Sequence, residues 1–513
     1  MTIARLSLRR AVRRRSLAVD VGAGLNLVGA LIKWWALAFL FPTAIALGYG
    51  ESPWPFLVAG VAAGTFGVAL ERATRGKERA GAREGFLVVS LVWLFVAFFG
   101  SLPYLLSGED QLANPVDALF ESMSGFTTTG SSVLTDIEGL SRSLAMWRQF
   151  TQWLGGMGII VLFLAILPRL RVGGRQALFK TEAPGPELAT FPATIRETAQ
   201  RFIGLYVGLT VAEIAVLSLF AWTGIDERMS FFDAVAHAFT TIPTGGFSPD
   251  GRSLEEFGAA SQWAIVPFMI LGGTSFALLY LGIVRRRPVS FLRDDEFRVY
   301  LFLLSAASLL VLVDVATEEI ASGEAAVRQA VFNTVSIFTT TGYANADFNQ
   351  WTALTTFVLL GGMIVSASAG STAGGIKLVR HVLIAKLLRR EVHQTIHPEL
   401  VAPVRLNGAP VDERALRAIV VFAFLYVGIV AAGALVILVD SARADVAVTP
   451  FQALAAAATT IASVGPGFGF AGPMGSFDPF SDVSKGAMIT LMWLGRLEII
   501  PVAVLFSRQY WRA

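Results

Sequence analysis

Ten apolar stretches of about 20 residues recur along the chain, near 28–48, 55–71, 85–106, 146–168, 202–222, 261–284, 297–315, 352–386 (interrupted), 416–440 and 486–507. Inside a bilayer only helices and closed barrels satisfy every backbone polar group, and segments of this length and polarity are spanning helices. The expected fold class is therefore an all-α polytopic membrane protein. Composition agrees: 54% of the 513 residues are hydrophobic and 15% are charged, against about 25% charged in soluble domains. Mean hydropathy is +0.62. A soluble enzyme, a secreted disulfide scaffold and a disordered regulator are all excluded. With no cysteine and four scattered histidines, thiol chemistry and Cys- or His-rich metal sites are excluded too.

Basic residues orient the spans. An arginine-rich start (Arg5, Arg9, Arg10, Arg13, Arg14, Arg15) leads into apolar sequence without a cleavage site, so it does not read as a removable signal. Further clusters follow span two (Arg72, Arg75, Lys77, Arg79, Arg83), span four (Arg169, Arg171, Arg175) and span six (Arg285, Arg286, Arg287). Two more follow span eight (Arg380, Lys386, Arg389, Arg390) and span ten (Arg508, Arg512). All fall on one side of a ten-span count, which predicts that both termini are cytoplasmic. The clusters at Arg169–Lys180 and Arg285–Arg287 read first as topology determinants near anionic headgroups; the rival reading is docking of a soluble regulator.

One short hairpin occurs four times: DALFESMSGFTTTGSSVL, DAVAHAFTTIPTGGFS, QAVFNTVSIFTTTGYA and QALAAAATTIASVGPG. Anchored at Asp117, Asp233, Gln329 and Gln452, each copy has Ala next, a small hydroxyl seven residues on (Ser124, Thr240, Ser336, Thr459) and an apolar residue nine on (Phe126, Ile242, Phe338, Ile461). A glycine follows 13 residues after each anchor: Gly130, Gly246, Gly342 and Gly465. A helix of about ten residues is too short to cross, so it enters and turns back. The return is non-helical backbone at membrane depth, tolerated only where protein buries it or it lines a water-filled path.

Four such strands around a pseudo-fourfold axis supply rings of main-chain carbonyls that replace the water of a monovalent cation. The candidate filter is Thr127, Thr128, Thr129 and Gly130; Pro243, Thr244, Gly245 and Gly246; Thr339, Thr340, Thr341 and Gly342; and Ala462, Ser463, Val464 and Gly465. The short helices aim their negative C-terminal ends at this centre and favour a cation. The expected organisation is an N-terminal two-helix region, 1–83, and four helix–pore-loop–helix repeats at 84–180, 181–290, 291–395 and 396–513.

SGFTTTGSSVL, PTGGFSPDG, FTTTGYANADF, SVGPGFG and the late GRLEII resemble the pore-forming subunits of the Trk/Ktr/HKT superfamily of potassium transporters, and of these the bacterial TrkH type. The resemblance covers almost the whole chain, including the two extra N-terminal spans. It implies a bacterial inner-membrane potassium uptake protein, with potassium as the bound ion and glycine at all four filter positions marking potassium rather than sodium selectivity. It also implies a homodimer above a separate nucleotide-binding regulatory subunit of TrkA type. The chain itself has no dinucleotide fingerprint or P-loop, and no organic cofactor or nucleic acid is expected. The fourth strand departs from the others, with one hydroxyl where the first has three threonines.

Two features mark a gate. Span eight is broken by Ser366, Ala367, Ser368, Ala369, Gly370, Ser371, Thr372, Ala373, Gly374 and Gly375. This run reads either as close helix packing or as an intramembrane loop beneath the filter, and the resemblance implies the second. Arg496, in span ten, is costly at membrane depth and must face an interior or a path. It is either a structural ion pair or, as the resemblance implies, an electrostatic barrier in the path; Glu498 points to another face. Glu213 is a second buried charge, for which a structural partner is expected. Symport through broken helices stays as a rival to a channel. An intramembrane hydrolase is disfavoured because His237 lies in a pore-helix segment, and voltage gating because no span carries periodic arginines.

Overall fold

The computed structural model describes residues 19–76, 81, 83–170, 195–399 and 402–511. The arginines of the N-terminal run, Lys77, Arg79, Arg171, Arg175, Lys180 and Arg512 lie outside these residues. The described residues divide into two compact units. The smaller holds the residues up to Glu109, Arg142–Leu144 and those from Leu497 on; the larger holds Asp110–Ser141 and Ala145–Arg496.

In the smaller unit α1 (Val21–Trp35) is capped by Asp20, whose Oδ1 accepts the Ala23 amide at 3.1 Å. It runs through a tight turn into α2 (Leu40–Tyr49), which Gly50 ends at φ 71°. α3 (Trp54–Ala73) returns along α1. The two backbones nearly touch at Gly29 and Gly67, where a Cβ on either would collide with main-chain atoms of the other helix. Lys33 and Glu71 pair across this crossing at 2.6 Å. α4 (Glu84–Leu106) follows, the first helix of repeat 1.

Repeat 1 continues with α5 (Pro115–Phe126) and α6 (Arg142–Leu170). Repeat 2 is α7 (Ile195–Thr223), α8 (Phe231–Thr241), α9 (Ala259–Gly272) and α10 (Phe276–Val284). Repeat 3 is α11 (Asp295–Thr317), α12 (Gly323–Phe338), α13 (Ala353–Val365) and α14 (Leu378–Ile396). Between repeats 3 and 4 a small hairpin, β1 (Arg405–Leu406) with β2 (Ala409–Pro410), turns on Asn407-Gly408. Both turn residues have positive φ, 49° and 79°, the two-residue turn that matches strand twist. Repeat 4 is α15 (Glu413–Arg443), α16 (Pro450–Ala462), α17 (Asp482–Arg496) and α18 (Ile500–Leu505).

The protein is an all-α multi-pass membrane protein of four helix–pore-loop–helix repeats. Among the described residues six helices are long and apolar enough to cross a bilayer, seven if the bent pair α9–α10 counts as one. The expected short pore helices are present, but of 12, 11, 16 and 13 residues rather than ten. The third is longest because it starts at Gly323, six residues before its anchor.

The second helices differ more from expectation. Only the one in repeat 3 reads as broken in the sequence, yet three of the four are broken. α9 and α10 meet at 104°. α17 stops at Arg496, and the chain passes through Glu498 and Ile499 at φ 60° and 57° before α18. Arg496 is thus the last residue of a helix, at the break within the span. The interruptions are short, Gly272-Gly273-Thr274-Ser275 and Arg496-Leu497-Glu498, and apolar residues flank both, so hydropathy averaged over a span does not register them.

Candidate ion-conduction site

Two of the hairpin anchors, Asp233 and Gln452, are capping residues. Ser230 and Asp233, and again Thr449 and Gln452, form reciprocal capping boxes that start α8 and α16. Asn114 Oδ1 accepts the Val116 amide at 2.9 Å to start α5. Each pore helix then ends against its own return strand by the same hydrogen bond. The amides of Thr129, Gly245, Thr341 and Val464 donate to the carbonyls of Ser124, Thr240, Ser336 and Thr459 at 2.8, 2.8, 2.9 and 3.0 Å. This bond explains why the small hydroxyl residue holds a constant distance from the filter glycine in all four copies.

Backbone conformation repeats as well. The second strand position is left-handed in every repeat: Thr128, Thr244, Thr340 and Ser463 at φ 53°, 55°, 60° and 55°. The fourth is again positive, at Gly130, Gly246, Gly342 and Gly465 with φ 84°, 77°, 85° and 112°. The first and third positions are negative, so the sign of φ alternates along all four strands. Alternating hands turn successive amides to one side of a strand and successive carbonyls to the other.

The four strands close into a ring. A Cβ on Gly130 would run into Gly245 O, one on Gly246 into Thr341 O, and one on Gly342 into Val464 O. One on Gly465 would lie 3.0 Å from Thr129 O. Each fourth-position glycine therefore abuts a third-position carbonyl of another repeat, in the cyclic order 1, 2, 3, 4 and back to 1. The same four glycines line one cavity, with Ser131, Arg148, Asp250 and Pro466 among its other walls. Ser131 Oγ donates to Gly465 O at 2.7 Å and Gln152 Nε2 to Gly245 O at 2.7 Å, tying strands of different repeats.

The segment 366–377 between α13 and α14 is buried, non-helical and hydrogen-bonded to the filter strands. The Gly374 amide donates to Thr340 Oγ1 at 3.0 Å. Thr372 Oγ1 donates to Ile242 O and Gly272 O at 2.9 and 3.0 Å, and Thr244 Oγ1 lies 3.3 Å from it. The loop thus meets the second-position hydroxyls of repeats 2 and 3. Those of repeats 1 and 4, Thr128 and Ser463, are buried with no hydrogen-bond partner among the described residues. Arg496 is 2% exposed. Its Nη1 donates to Thr372 O at 2.8 Å and its Nη2 to Gly155 O at 3.1 Å. It binds carbonyls of the loop and of α6, with no carboxylate partner among the described residues, which disfavours the structural ion pair.

A family profile described as TrkH, cation transport protein, matches residues 56–512. The Trk system potassium uptake protein TrkH of Halomonas elongata is 35% identical over 502 residues, covering 95% of this chain and 98% of that protein. That of Escherichia coli K12 is 34% identical with the same coverage. The crystal structure of the potassium transporter TrkH from Vibrio parahaemolyticus superposes with TM-score 0.85 at 30% identity, over 96% of this chain and 100% of that one. The chain belongs to the TrkH family.

Three features of this TrkH-family chain escape a reading of its hairpins alone. Each second helix carries a glycine packed on the end of its pore helix. Gly155 lies on Phe126 O, Gly272 on Ile242 O, Gly362 on the Phe338 ring and Gly495 on Ile461 O, so a Cβ at any of them would collide. The signal was present as L-G-G at 154–156, 271–273 and 360–362, and as L-G-R at 494–496. Arg496 stands where the other three have a second glycine. Behind the first strand, Arg148 and Glu121 form an ion pair at 2.7 Å with both side chains at most 1% exposed. Arg148 also reaches Ser248 O at 3.2 Å and covers the Phe247 ring at 4.2 Å, joining repeats 1 and 2. Glu213 is fully buried on α7 beside Thr241. The structural partner expected for it is not a cation: no basic residue pairs with it among the described residues.

Proposed function

We propose that this chain is the pore-forming subunit of a Trk-type potassium uptake system, as the names of its relatives suggest. Dehydrated potassium passes between the carbonyls of residues 127–130, 243–246, 339–342 and 462–465. The observation that carries this reading is the cyclic contact of the four strands, each with the same alternation in the sign of φ. Their amides turn back to the pore helices, which leaves the strand carbonyls to line a common axis. Oxygen rings of this kind substitute for the hydration shell of a monovalent cation. The pore helices all end at these strands, so their negative ends add to the cation's stabilisation.

Arg496 and the loop 366–375 form the gate: the loop lies against the inner hydroxyls of the strands, and the guanidinium adds a positive charge at the same level. A monomer contains one complete pore. By resemblance two monomers pair in a bacterial inner membrane, with termini in the cytoplasm, above a nucleotide-binding TrkA-type ring. The deciding experiment is rubidium uptake into a potassium-starved host stripped of its own uptake systems. Expression should restore growth at low potassium and saturable rubidium entry that excess potassium blocks and equal sodium does not. Uptake indistinguishable from the empty host would overturn the reading.

A further inference from the structure

Glu296, in the first turn of α11, is 4% exposed and plays no part in the filter. Its Oε1 accepts the Ala369 amide at 2.6 Å and the Val379 amide at 3.1 Å. Ala369 lies within the loop and Val379 just beyond it, so one carboxylate oxygen holds both limbs of the segment that carries Thr372 and Gly374. The Leu378 amide donates to Ala367 O at 2.9 Å and closes the same neck. A charged acceptor shared by two amides is stronger than neutral bonds of the same count, and a carboxylate at a helix N-terminus is further favoured by the helix dipole.

The residues just before Glu296 are pinned to the β-hairpin. Asn407 Oδ1 accepts the Asp295 amide at 2.7 Å, the Asn407 amide donates to Asp295 Oδ2 at 3.1 Å, and Asn407 Nδ2 donates to Asp294 Oδ2 at 2.9 Å. Lys386 of α14 bridges Asp295 Oδ2 at 2.7 Å and Arg405 O at 2.9 Å. Val404, Leu406 and Val411 bury the hairpin's apolar side in the same core as Leu378, Val382 and Leu383. The hairpin, the start of α11 and the start of α14 therefore move as one block, and that block holds the loop through Glu296.

We propose that Glu296 is a positioning residue that latches the intramembrane loop in its closed place, and that the β-hairpin 405–410 sets the latch. The proposal rests on the reading of the loop as a gate. A displaced hairpin carries Asp295 and Glu296 with it, withdraws the shared acceptor from Ala369 and Val379, and frees the loop from Thr340 and Thr244.

The test uses the full chain in liposomes. It has no cysteine, so Ser371→Cys supplies a single thiol whose labelling rate reports on loop exposure. Glu296→Ala should raise basal rubidium flux roughly tenfold, the shift that loss of a charge-assisted hydrogen bond gives a closed–open equilibrium, and should speed labelling of the thiol in parallel. Glu296→Gln keeps an acceptor oxygen and should stay within about threefold of the parent. Asn407→Ala, at the hairpin, should shift flux and labelling the same way as Glu296→Ala, and it decides the matter if Glu296→Ala does not fold. Parental flux and labelling in Glu296→Ala, or in Asn407→Ala where that is the decisive variant, would overturn the latch. A chain with a shortened 366–375 loop separates the two ideas. If it conducts more while Glu296→Ala does not, the latch alone fails; if it conducts as before, the gate reading fails.

Discussion

Thr128, Thr244, Thr340 and Ser463 sit at positive φ without being glycine, at a cost of about 1–2 kcal/mol each. Such strain persists only where the surroundings over-determine it, and here the next amide's bond to the pore helix does so. The fourth position needs glycine for a second reason, since its α-carbon lies against another strand's carbonyl. Gly130→Ser forces a side chain into the place of Gly245 O and strains a residue at φ 84°. The potassium-to-sodium permeability ratio, measured from reversal potentials, should fall by about tenfold, as expected from 1–2 kcal/mol of strain acting on the site. An unchanged ratio would remove Gly130 from the filter. Arg496 is a different case, a buried cation held by two carbonyls. At about 8 Å and an effective dielectric of ~20, one positive charge raises the energy of a passing cation by about 2 kcal/mol. Arg496→Ala should therefore increase rubidium flux at least several-fold, whereas a strict loss of flux would return the residue to a structural role.

Elements explain what a reader of the bare sequence sees and misses. The pore helices are legible because their signals are local: an acidic or amide anchor, a hydroxyl residue whose carbonyl receives the strand, and a glycine, all within 14 residues. The breaks after Gly272 and Arg496 are not, because Gly273-Thr274-Ser275 and Leu497-Glu498 are short interruptions between apolar runs, and the change of direction shows only in the backbone. The ion pair of Glu121 with Arg148 is illegible for another reason: its partners lie on different helices that only the folded repeat brings together. The loop of repeat 3 was legible as an interruption, but its bonds to Thr340, Ile242 and Gly272 were not. Those bonds argue against mere packing, since close helix packing needs no hydroxyl-to-carbonyl ties with the pore helix and second helix of another repeat. Removing four or five residues from 366–375 should pull Thr372 and Gly374 away from the strands and raise basal conductance in single-channel or liposome recordings. Unaltered conductance would leave the small residues as packing alone.

On the scale of the larger unit, each repeat is tied to the next by polar bonds outside the strands. Repeats 1 and 2 share Arg148 with Ser248 O, and repeats 2 and 3 share Asn345 Nδ2 with Gln262 Oε1 at 2.8 Å. Repeats 3 and 4 share Asn349 with Gly469, and repeats 4 and 1 share Lys485 with Asp117 at 2.5 Å. The ring closes on itself, so separating any two repeats opens the strands. On the proposed filter reading, carbonyls that face a common axis repel when it is empty; a desolvated cation between them relieves that repulsion and binds the folded ring alone. Folding and ion binding are then linked: at a potassium concentration 100 times the dissociation constant, the folded state gains about 2.7 kcal/mol. Purified protein in detergent should unfold a few degrees higher in potassium or rubidium than in N-methylglucamine at equal ionic strength. Gly130→Ser should lose most of that increment, on top of a lower midpoint in N-methylglucamine from the strain at this residue. A midpoint that ignores the identity of the cation would mean that the strands meet without forming an ion site, because four converging carbonyl sets that hold potassium have to be steadied by it.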